Sequence, residues 1–316
     1  MNPFATLIGQ TQAVELLQQA VMQQKIAPAY LFYGTPGIGR SLAARCFSTM
    51  LLSQDIDDNN SEQIEKRLLA GNHPDWLRVE PTYLHQKQRL SVSEAKAMGL
   101  QRKAPPQIRI EQVREITRIL ARPPLIAPRS VIVLEDAQTM GEGAANALLK
   151  TLEEPGKATL ILIAPSLESL LPTLVSRCQR IPFSPLNPQQ MQQVLSRVEQ
   201  AEILQDEVIL GISQGSPGKA IECWQHLQTI PQDLMQKLLQ PPFSSQQALA
   251  LAKEIAQNLD SAVQLWLLDY LQYSYWQRFL DGMMEKSVMK PWEEARKALL
   301  CYAQPRLVWE VTLLGI

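Results

Sequence analysis

One stretch of the sequence decides how the chain folds: Gly34-Thr35-Pro36-Gly37-Ile38-Gly39-Arg40-Ser41. It follows a short apolar run at residues 30–33, which predicts a buried strand, and it precedes Leu42–Phe47, which predicts a helix. A glycine-rich turn in this context can bind phosphate groups through its backbone N–H groups and the helix N-terminus. The spacing is that of a P-loop, except that Arg40 replaces the lysine. A tight glycine turn that binds no ligand is the alternative interpretation.

Arg40 is the most informative residue of this loop. Lysine offers phosphate a compact point charge, whereas arginine offers a wider planar fork. Ser41 stands where a hydroxyl group can reach a magnesium ion. We therefore expect this loop to bind ATP with magnesium weakly, if it binds the nucleotide at all, and to hydrolyse it poorly.

A second signal lies at the end of another predicted strand. The β-branched run at residues 131–134 is typical of a central parallel strand, and Glu135 and Asp136 follow it directly. Beside a P-loop, acids at this edge of a sheet hold the metal and orient the attacking water. The usual order is Asp then Glu, and here the two are exchanged. Glu135 thus joins Ser41 as a candidate magnesium ligand, unless the two acids merely lie in a surface turn.

Strand and helix signals alternate as far as Phe183, which predicts a parallel, doubly wound α/β sheet over residues 1–183. Beyond it we find only helical periodicity, which predicts a helical lid at 184–230 and a helical collar for oligomerisation at 231–316. The polar, basic segment 82–107 is predicted to be an insertion or an ordered excursion. The aromatic residues between Trp266 and Phe279 recur at helical spacing, which favours a core or a subunit interface over stacking on bases.

Composition limits the classes of function. The hydrophobic fraction of 46% supports real cores, and a net charge of −1 gives no case for nucleic-acid binding by the whole chain. The four cysteines contain no C-x-x-C pair, so we expect neither a zinc module nor a disulfide framework. No apolar run approaches twenty residues and no signal-peptide pattern is present, which predicts a cytoplasmic protein. His73, directly before a proline, is predicted to be a turn residue.

Taken together, these features resemble the AAA+ clamp-loader subunits of bacterial DNA polymerase III. The most specific part is the run from Asn146 to Cys178, which contains LLKTLEEP and LPTLVSRC, and the resemblance extends through the helical tail. It implies an AAA+ P-loop domain with a degenerate nucleotide site, followed by an all-helical lid and an all-helical collar. It also implies partners, namely the gamma and tau motor subunits and delta, and, through the complex, the sliding clamp and primed DNA.

The resemblance further implies roles for single residues. Arg177, between Ser176 and Cys178, matches the arginine finger that clamp-loader subunits present to the ATP of a neighbouring subunit. It should project from the edge of the α/β domain, whereas a purely structural arginine should pair with an acid of its own chain. Lys219 stands where the motor subunits carry a sensor arginine, which makes it a candidate nucleotide contact.

Three departures from the motor subunits agree with one another: Arg40 in the P-loop, the exchanged acids, and Lys219 in place of the sensor arginine. The cysteines of the family's zinc module are also absent. Because Arg177 is retained, the pattern is that of a subunit that completes another subunit's active site while hydrolysing ATP poorly or not at all itself. The alternatives are an active ATPase of the gamma or tau motor type, and a sequence-independent DNA-binding module, which the near-neutral charge disfavours.

Overall fold

The computed structural model describes residues 3–53, 58–86, 88–100, 104–154, 156–241, 243–283 and 289–316. The chain divides into two compact units, Met1–Leu186 and Asn187–Ile316. The boundary predicted after Phe183 falls close to the division after Leu186. The further division of the second part into a lid and a collar at residue 230 stays a prediction.

The first unit alternates strands and helices. Its strands are β1 (Ala29–Tyr33), β2 (Trp76–Val79), β3 (Thr82–His85), β4 (Gln88–Ser91), β5 (Ser130–Leu134), β6 (Ala158–Ala164) and β7 (Gln179–Pro182). Its α-helices are α1 (Thr11–Met22), α2 (Arg40–Leu52), α3 (Asp58–Leu69), α4 (Val92–Ala97), α5 (Ile110–Leu120), α6 (Glu142–Glu153) and α7 (Pro172–Val175). Short 3-10 helices occupy Pro3–Thr6 and Ala137–Thr139.

Five strands form one parallel sheet in the order β2-β5-β6-β1-β7. Every residue of β5 and β6 is buried, as expected for central parallel strands that are covered on both faces. The apolar core joins these strands to α5 and α6 and includes Leu31, Val113, Ile132, Leu148 and Leu160. The predicted parallel α/β sheet is therefore confirmed.

The strand register brings the predicted site elements to one edge of the sheet. Tyr33, the last residue of β1, pairs with Ala164 at the end of β6 and with Pro182 at the end of β7. Leu134, at the end of β5, pairs with Leu162. Because the strands are parallel, their carboxyl ends meet at this edge, and the glycine-rich loop and the two acids both begin there.

The segment 82–107 is an ordered excursion in its described part. The strands β3 and β4 pair in an antiparallel manner, and α4 follows; residues 87 and 101–103 lie outside the described ranges. The excursion returns to its starting point, because Thr82 and Gln107 exchange two backbone hydrogen bonds of 3.0 and 3.1 Å.

In the second unit, the described residues form helices and no strand. The helices are α8 (Pro188–Arg197), α9 (Glu207–Ser213), α10 (Pro217–Thr229), α11 (Gln232–Leu238), α12 (Ser245–Asn258), α13 (Ser261–Leu280), α14 (Met289–Leu300) and α15 (Pro305–Leu314), with a 3-10 helix at Ala201–Gln205. At the end of this unit, α14 ends at Leu300 and the helical residues that follow form a separate helix. Pro305 starts a new helix, where its missing N–H costs nothing.

Aromatic side chains of α13 build the interior of this unit. Trp266, Tyr270 and Tyr275 are all buried, and the Tyr275 ring packs against Trp292 with centroids 5.4 Å apart. The Tyr275 hydroxyl also donates to the carbonyl oxygen of Leu238 at 2.7 Å. For these side chains the predicted core role is confirmed. Across the described residues, we find no helix with the length and apolar character needed to cross a membrane.

Candidate functional site

The glycine-rich loop between β1 and α2 depends on backbone space that only glycine leaves. A Cβ atom on Gly34 would lie 2.4 Å from the carbonyl oxygen of Phe183, and Gly39 holds φ at 102° where it caps α2. The tip of the loop, Thr35-Pro36-Gly37, is exposed, whereas Ile38 is buried. The backbone therefore keeps a compact turn at the start of a helix, which is a shape able to bind an anion.

Gln10 anchors this loop, and the sequence analysis missed its role. Its buried side chain donates through Nε2 to the carbonyl oxygens of Ile38, at 3.1 Å, and of Ser184, at 2.8 Å. The backbone N–H of Ser184 donates back to Oε1 of Gln10 at 3.1 Å. Gln10 thus ties the loop to the segment that follows β7. In the sequence it stood only in a turn before α1, so no local pattern revealed these partners.

Arg40 is turned into the protein at the start of α2. Its side chain is buried, and Nη1 donates to the carbonyl oxygen of Ala164 at the end of β6. Burial lowers the pKa of Arg40, while the nearby carboxylates of Asp136 and Glu135 act in the opposite direction. The guanidinium nonetheless remains a cation at neutral pH. In a P-loop, the lysine at this position offers its positive charge to phosphate. Here the charge of Arg40 instead interacts with the carbonyl oxygen of Ala164 at the edge of the sheet.

Glu135 lies at the centre of a cluster of polar contacts. Its Oε2 accepts a hydrogen bond from Oγ of Ser41 at 2.7 Å, and its Oε1 accepts from Nε of Arg78 at 3.3 Å. Arg78 also contacts Glu80, with 2.6 Å between Nη1 and Oε1. The sequence analysis missed Arg78, because only the pairing of β2 with β5 brings it to Glu135. Ser41 and Glu135, both predicted as magnesium ligands, therefore satisfy each other.

Asp136 does not share this cluster. It takes up a left-handed conformation with φ at 47° and is exposed, with its Oδ1 accepting from Nε2 of Gln138 at 3.2 Å. Aspartate tolerates this conformation because its short side chain can form local hydrogen bonds. Of the two acids, Glu135 makes the direct hydrogen bonds of the candidate site, while Asp136 lies in a surface turn and acts on Arg40 through its charge.

These contacts test whether the site fits ATP with magnesium. Magnesium demands a near-octahedral set of oxygen ligands at short range. Ser41 and Glu135 are bonded to each other, and Arg78 brings a positive charge to the same carboxylate. The Ser41 hydroxyl keeps its oxygen lone pairs while it donates to Glu135, so these two side chains would supply only part of a magnesium shell, and Arg78 competes for the carboxylate. The backbone of the loop fits a phosphate group better than its side chains fit the metal.

Arg177 lies in the turn between α7 and β7. Its Nη2 donates to Oε1 of Glu153 at 2.8 Å, and its Nη1 donates to the carbonyl oxygen of Thr173 at 3.1 Å. The side chain of Arg177 is exposed, which was expected for an arginine finger. It also pairs with Glu153, an acid of its own chain, which was expected for a structural role. An exposed pair of this kind contributes only up to about 1 kcal/mol. The pair therefore adds little to the stability of the fold.

The neighbours of Arg177 differ from it in exposure. Ser176 is exposed and donates through Oγ to the carbonyl oxygen of Thr173 at 3.1 Å. Cys178 is buried in the apolar core, and burial raises the pKa of its thiol to about 12. The thiol is therefore protonated at neutral pH and is no nucleophile. Within this tripeptide, Arg177 is the group with charge to offer to a partner.

Two further residues were singled out from the sequence, Lys219 and His73. Lys219 is exposed in the first turn of α10 in the second unit, where its backbone N–H donates to Oγ of Ser216 at 3.2 Å. Its contact with a nucleotide stays a prediction.

His73 is confirmed as a turn residue, because its Nδ1 accepts from the backbone N–H of Asp75 at 3.1 Å. Burial lowers the pKa of His73. No cluster of three His, Cys, Asp or Glu suited to a metal ion occurs in the described ranges.

A strand, glycine-rich loop and helix at the carboxyl edge of a five-stranded parallel sheet, followed by a helical unit, define an AAA+ type of P-loop protein. The fold is similar to that of a DNA polymerase III gamma subunit-related protein from Thermotoga maritima. The TM-score is 0.55 at 16% sequence identity, and the match covers 96% of this chain and 97% of that one.

The sequence comparisons identify the family. The profile described as "DNA polymerase III, delta subunit" matches residues 9–187, and "Cyanobacterial DNA polymerase III delta prime, C-terminal domain" matches residues 189–316. Subunit delta' of Pseudomonas aeruginosa is 33% identical over 63% of this chain and 58% of its own length. Subunit delta' of Bacillus subtilis is 32% identical over 57% and 49%, so the matches span about half of these relatives. The chain belongs to the DNA polymerase III delta prime family.

Cysteine reactivity tests the placement of Cys178. Cys46, Cys178 and Cys223 are buried with raised pKa values, whereas Cys301 is exposed. At neutral pH a maleimide should label one thiol of the folded protein rapidly, and Cys301→Ser should abolish this fast phase. All four thiols should react in denaturant. Rapid labelling of Cys178 in the folded protein, located by peptide mass mapping, would contradict its assignment to the core.

Proposed function

We propose that this chain is the delta prime subunit of a bacterial clamp loader, which helps to load the sliding clamp onto primed DNA. In this proposal it presents Arg177 to the ATP of a neighbouring motor subunit. The observation that carries the proposal is the contrast between two places in the first unit. At the glycine-rich loop, Ser41 and Glu135 satisfy each other, whereas Arg177 lies exposed and its two hydrogen bonds use only two of its five N–H donors. Membership of the delta prime family supports the same assignment.

The charges around Glu135 give a physical reason for poor ATP hydrolysis by this chain. Arg78 donates to that carboxylate, and Arg40 lies close enough for Glu135 to affect its pKa. These guanidinium groups partly neutralise the carboxylates that would otherwise attract a divalent cation. Magnesium would also compete with Arg78 for the Glu135 carboxylate. These effects oppose a productive magnesium–nucleotide complex, although the backbone loop leaves weak binding of ATP open.

An arginine supplied by a neighbour is effective because phosphoryl transfer places negative charge on the transferring group and the leaving oxygen. A guanidinium that meets this charge contributes on the order of 10³–10⁵ in rate. Supplying it from another subunit makes hydrolysis depend on correct assembly. Arg177 suits this role because its exposed guanidinium, while paired with Glu153, still has N–H donors that can bind a phosphate group.

The second unit offers a surface for assembly. Leu307, Val311 and Leu314 recur at helical spacing along α15 and are 55%, 65% and 52% exposed. The opposite face of the same helix buries Val308 and Trp309. An exposed apolar stripe along a helix is typical of a docking surface. We assign this stripe to contact with a neighbouring clamp-loader subunit, consistent with a collar that holds the complex together.

Replacing Arg177 tests the proposed function directly. In a complex reconstituted with the gamma or tau and delta subunits, Arg177→Ala should leave assembly unchanged and lower clamp-dependent ATP hydrolysis. Hydrolysis at the ATP site that receives Arg177 should slow by a factor on the order of 10³–10⁵. The total rate of the complex should then fall by the contribution of that one site, because the arginine fingers of the other subunits still act. Arg177→Lys should rescue poorly because lysine lacks the planar fork. Arg180→Ala, an exposed arginine of β7, is the matched control. A fully assembled Arg177→Ala complex with undiminished hydrolysis and clamp loading would refute the proposal.

The collar assignment has its own test. Val311→Asp places a charge in the apolar stripe of α15 and should weaken incorporation into the complex, since burying an unpaired charge is costly. The isolated variant should keep its melting temperature, because Val311 is already exposed to water. Leu249→Asp serves as the control, because Leu249 on α12 is also partly exposed, at 43%. If gel filtration shows equal incorporation of the Val311→Asp variant and the wild type, this stripe is not the assembly surface.

A further inference from the structure

The guanidinium of Arg177 is fixed at two points by its own chain. Glu153, the last residue of α6, accepts from Nη2 at 2.8 Å, and the carbonyl oxygen of Thr173 in α7 accepts from Nη1 at 3.1 Å. The two acceptors belong to different helices. Two hydrogen bonds to separate anchors set both the position and the plane of this flat group.

The anchoring leaves the guanidinium available to a partner. A guanidinium carries five N–H donors, and these two bonds use two of them. The side chain of Arg177 is 39% exposed and that of Glu153 is 55% exposed, so both lie at the surface of the first unit. The remaining donors can therefore face a ligand that belongs to another subunit.

The backbone that carries Glu153 is itself held firmly. In the last turn of α6, Thr151 and Leu152 are buried, and the hydroxyl of Thr151 shares a 3.0 Å hydrogen bond with that of Thr117 on α5. Glu153 follows directly, with its side chain outside the core. A carboxylate that starts from a fixed backbone can in turn fix the group to which it bonds.

The geometry points to Glu153 as a positioning residue for the arginine finger, an inference that rests on the function proposed for Arg177. Glu153 orients the guanidinium before the neighbouring subunit arrives. A long arginine side chain loses considerable rotamer freedom when it is ordered, and pre-organisation moves that cost from the transition state to folding. Because the pair is exposed and screened by water, the carboxylate does not withdraw the positive charge from the neighbour's ATP.

The experiment uses the reconstituted complex and compares Glu153→Ala, Glu153→Gln, Glu154→Ala and Arg177→Ala. Glu153→Ala should lower kcat for clamp-dependent ATP hydrolysis at the affected site by on the order of 3- to 10-fold, because a misplaced group loses rate steeply. The KM for ATP should stay unchanged, because the neighbour's own P-loop binds the nucleotide. Glutamine keeps an oxygen acceptor in the same place, so Glu153→Gln should recover most of the rate. Glu154→Ala removes an exposed carboxylate one residue away and should behave as wild type.

A double variant shows whether Glu153 acts through Arg177. If it does, Glu153→Ala combined with Arg177→Ala should be no slower than Arg177→Ala alone. Additive losses would overturn the inference, and so would a Glu153→Ala complex that hydrolyses ATP as fast as or faster than the Glu154→Ala control. In both cases the proposed function still stands if Arg177→Ala is slow. An Arg177→Ala complex with wild-type hydrolysis would instead refute the proposed function itself. Equal melting temperatures and equal assembly of the Glu153→Ala and Glu154→Ala variants exclude a folding defect.

Discussion

The bond from Arg40 to the carbonyl oxygen of Ala164 links the start of α2 to the end of β6. It lies at the edge where the parallel strands end, next to the glycine-rich loop. A lysine at this position of a P-loop offers its charge to phosphate. Here the cation is buried and bonded to the sheet, so the loop keeps its backbone shape without its usual phosphate-binding charge. The electrostatic character of the whole site follows from this placement.

Around that bond, the charges of the protein compensate one another. Glu135 accepts hydrogen bonds from Ser41 and from Arg78. Each oxygen of this carboxylate thus already accepts a hydrogen bond. Together with Asp136, Glu135 also opposes the lowering of the Arg40 pKa that burial causes. The chain then continues through α6 to Glu153, which holds Arg177 at the surface. In our account, this arrangement separates two tasks that an active ATPase combines: binding a nucleotide, and stabilising the transition state of a neighbour's reaction.

Much of this architecture follows from local sequence patterns. The glycine spacing of the loop and the apolar runs at β5 and β6 predicted the parallel sheet, because strand burial and turn conformation are encoded by neighbouring residues. Helical periodicity predicted the second unit, but it did not reveal the break before Pro305. A proline that starts a helix and a proline that interrupts one look alike in a periodic pattern.

The contacts of the candidate site were harder to predict because they join distant parts of the chain. Gln10 bonds to Ser184, 174 residues away, and Arg78 reaches Glu135 only because β2 pairs with β5. The pair of Arg177 with Glu153 likewise depends on where α6 ends. A sequence pattern can name an arginine or an acid as functional, but strand order and helix length decide what each side chain touches.

We propose that the protein's own charges disfavour magnesium-dependent chemistry at its nucleotide site. The most direct test is ATP turnover by the isolated chain, measured with and without magnesium and compared with Ser41→Ala. Our account predicts turnover far below about 1 s⁻¹, the low end of typical enzymes, with no dependence on magnesium or on Ser41. Magnesium-dependent turnover of about 1 s⁻¹ or faster that is lost in Ser41→Ala would contradict the account.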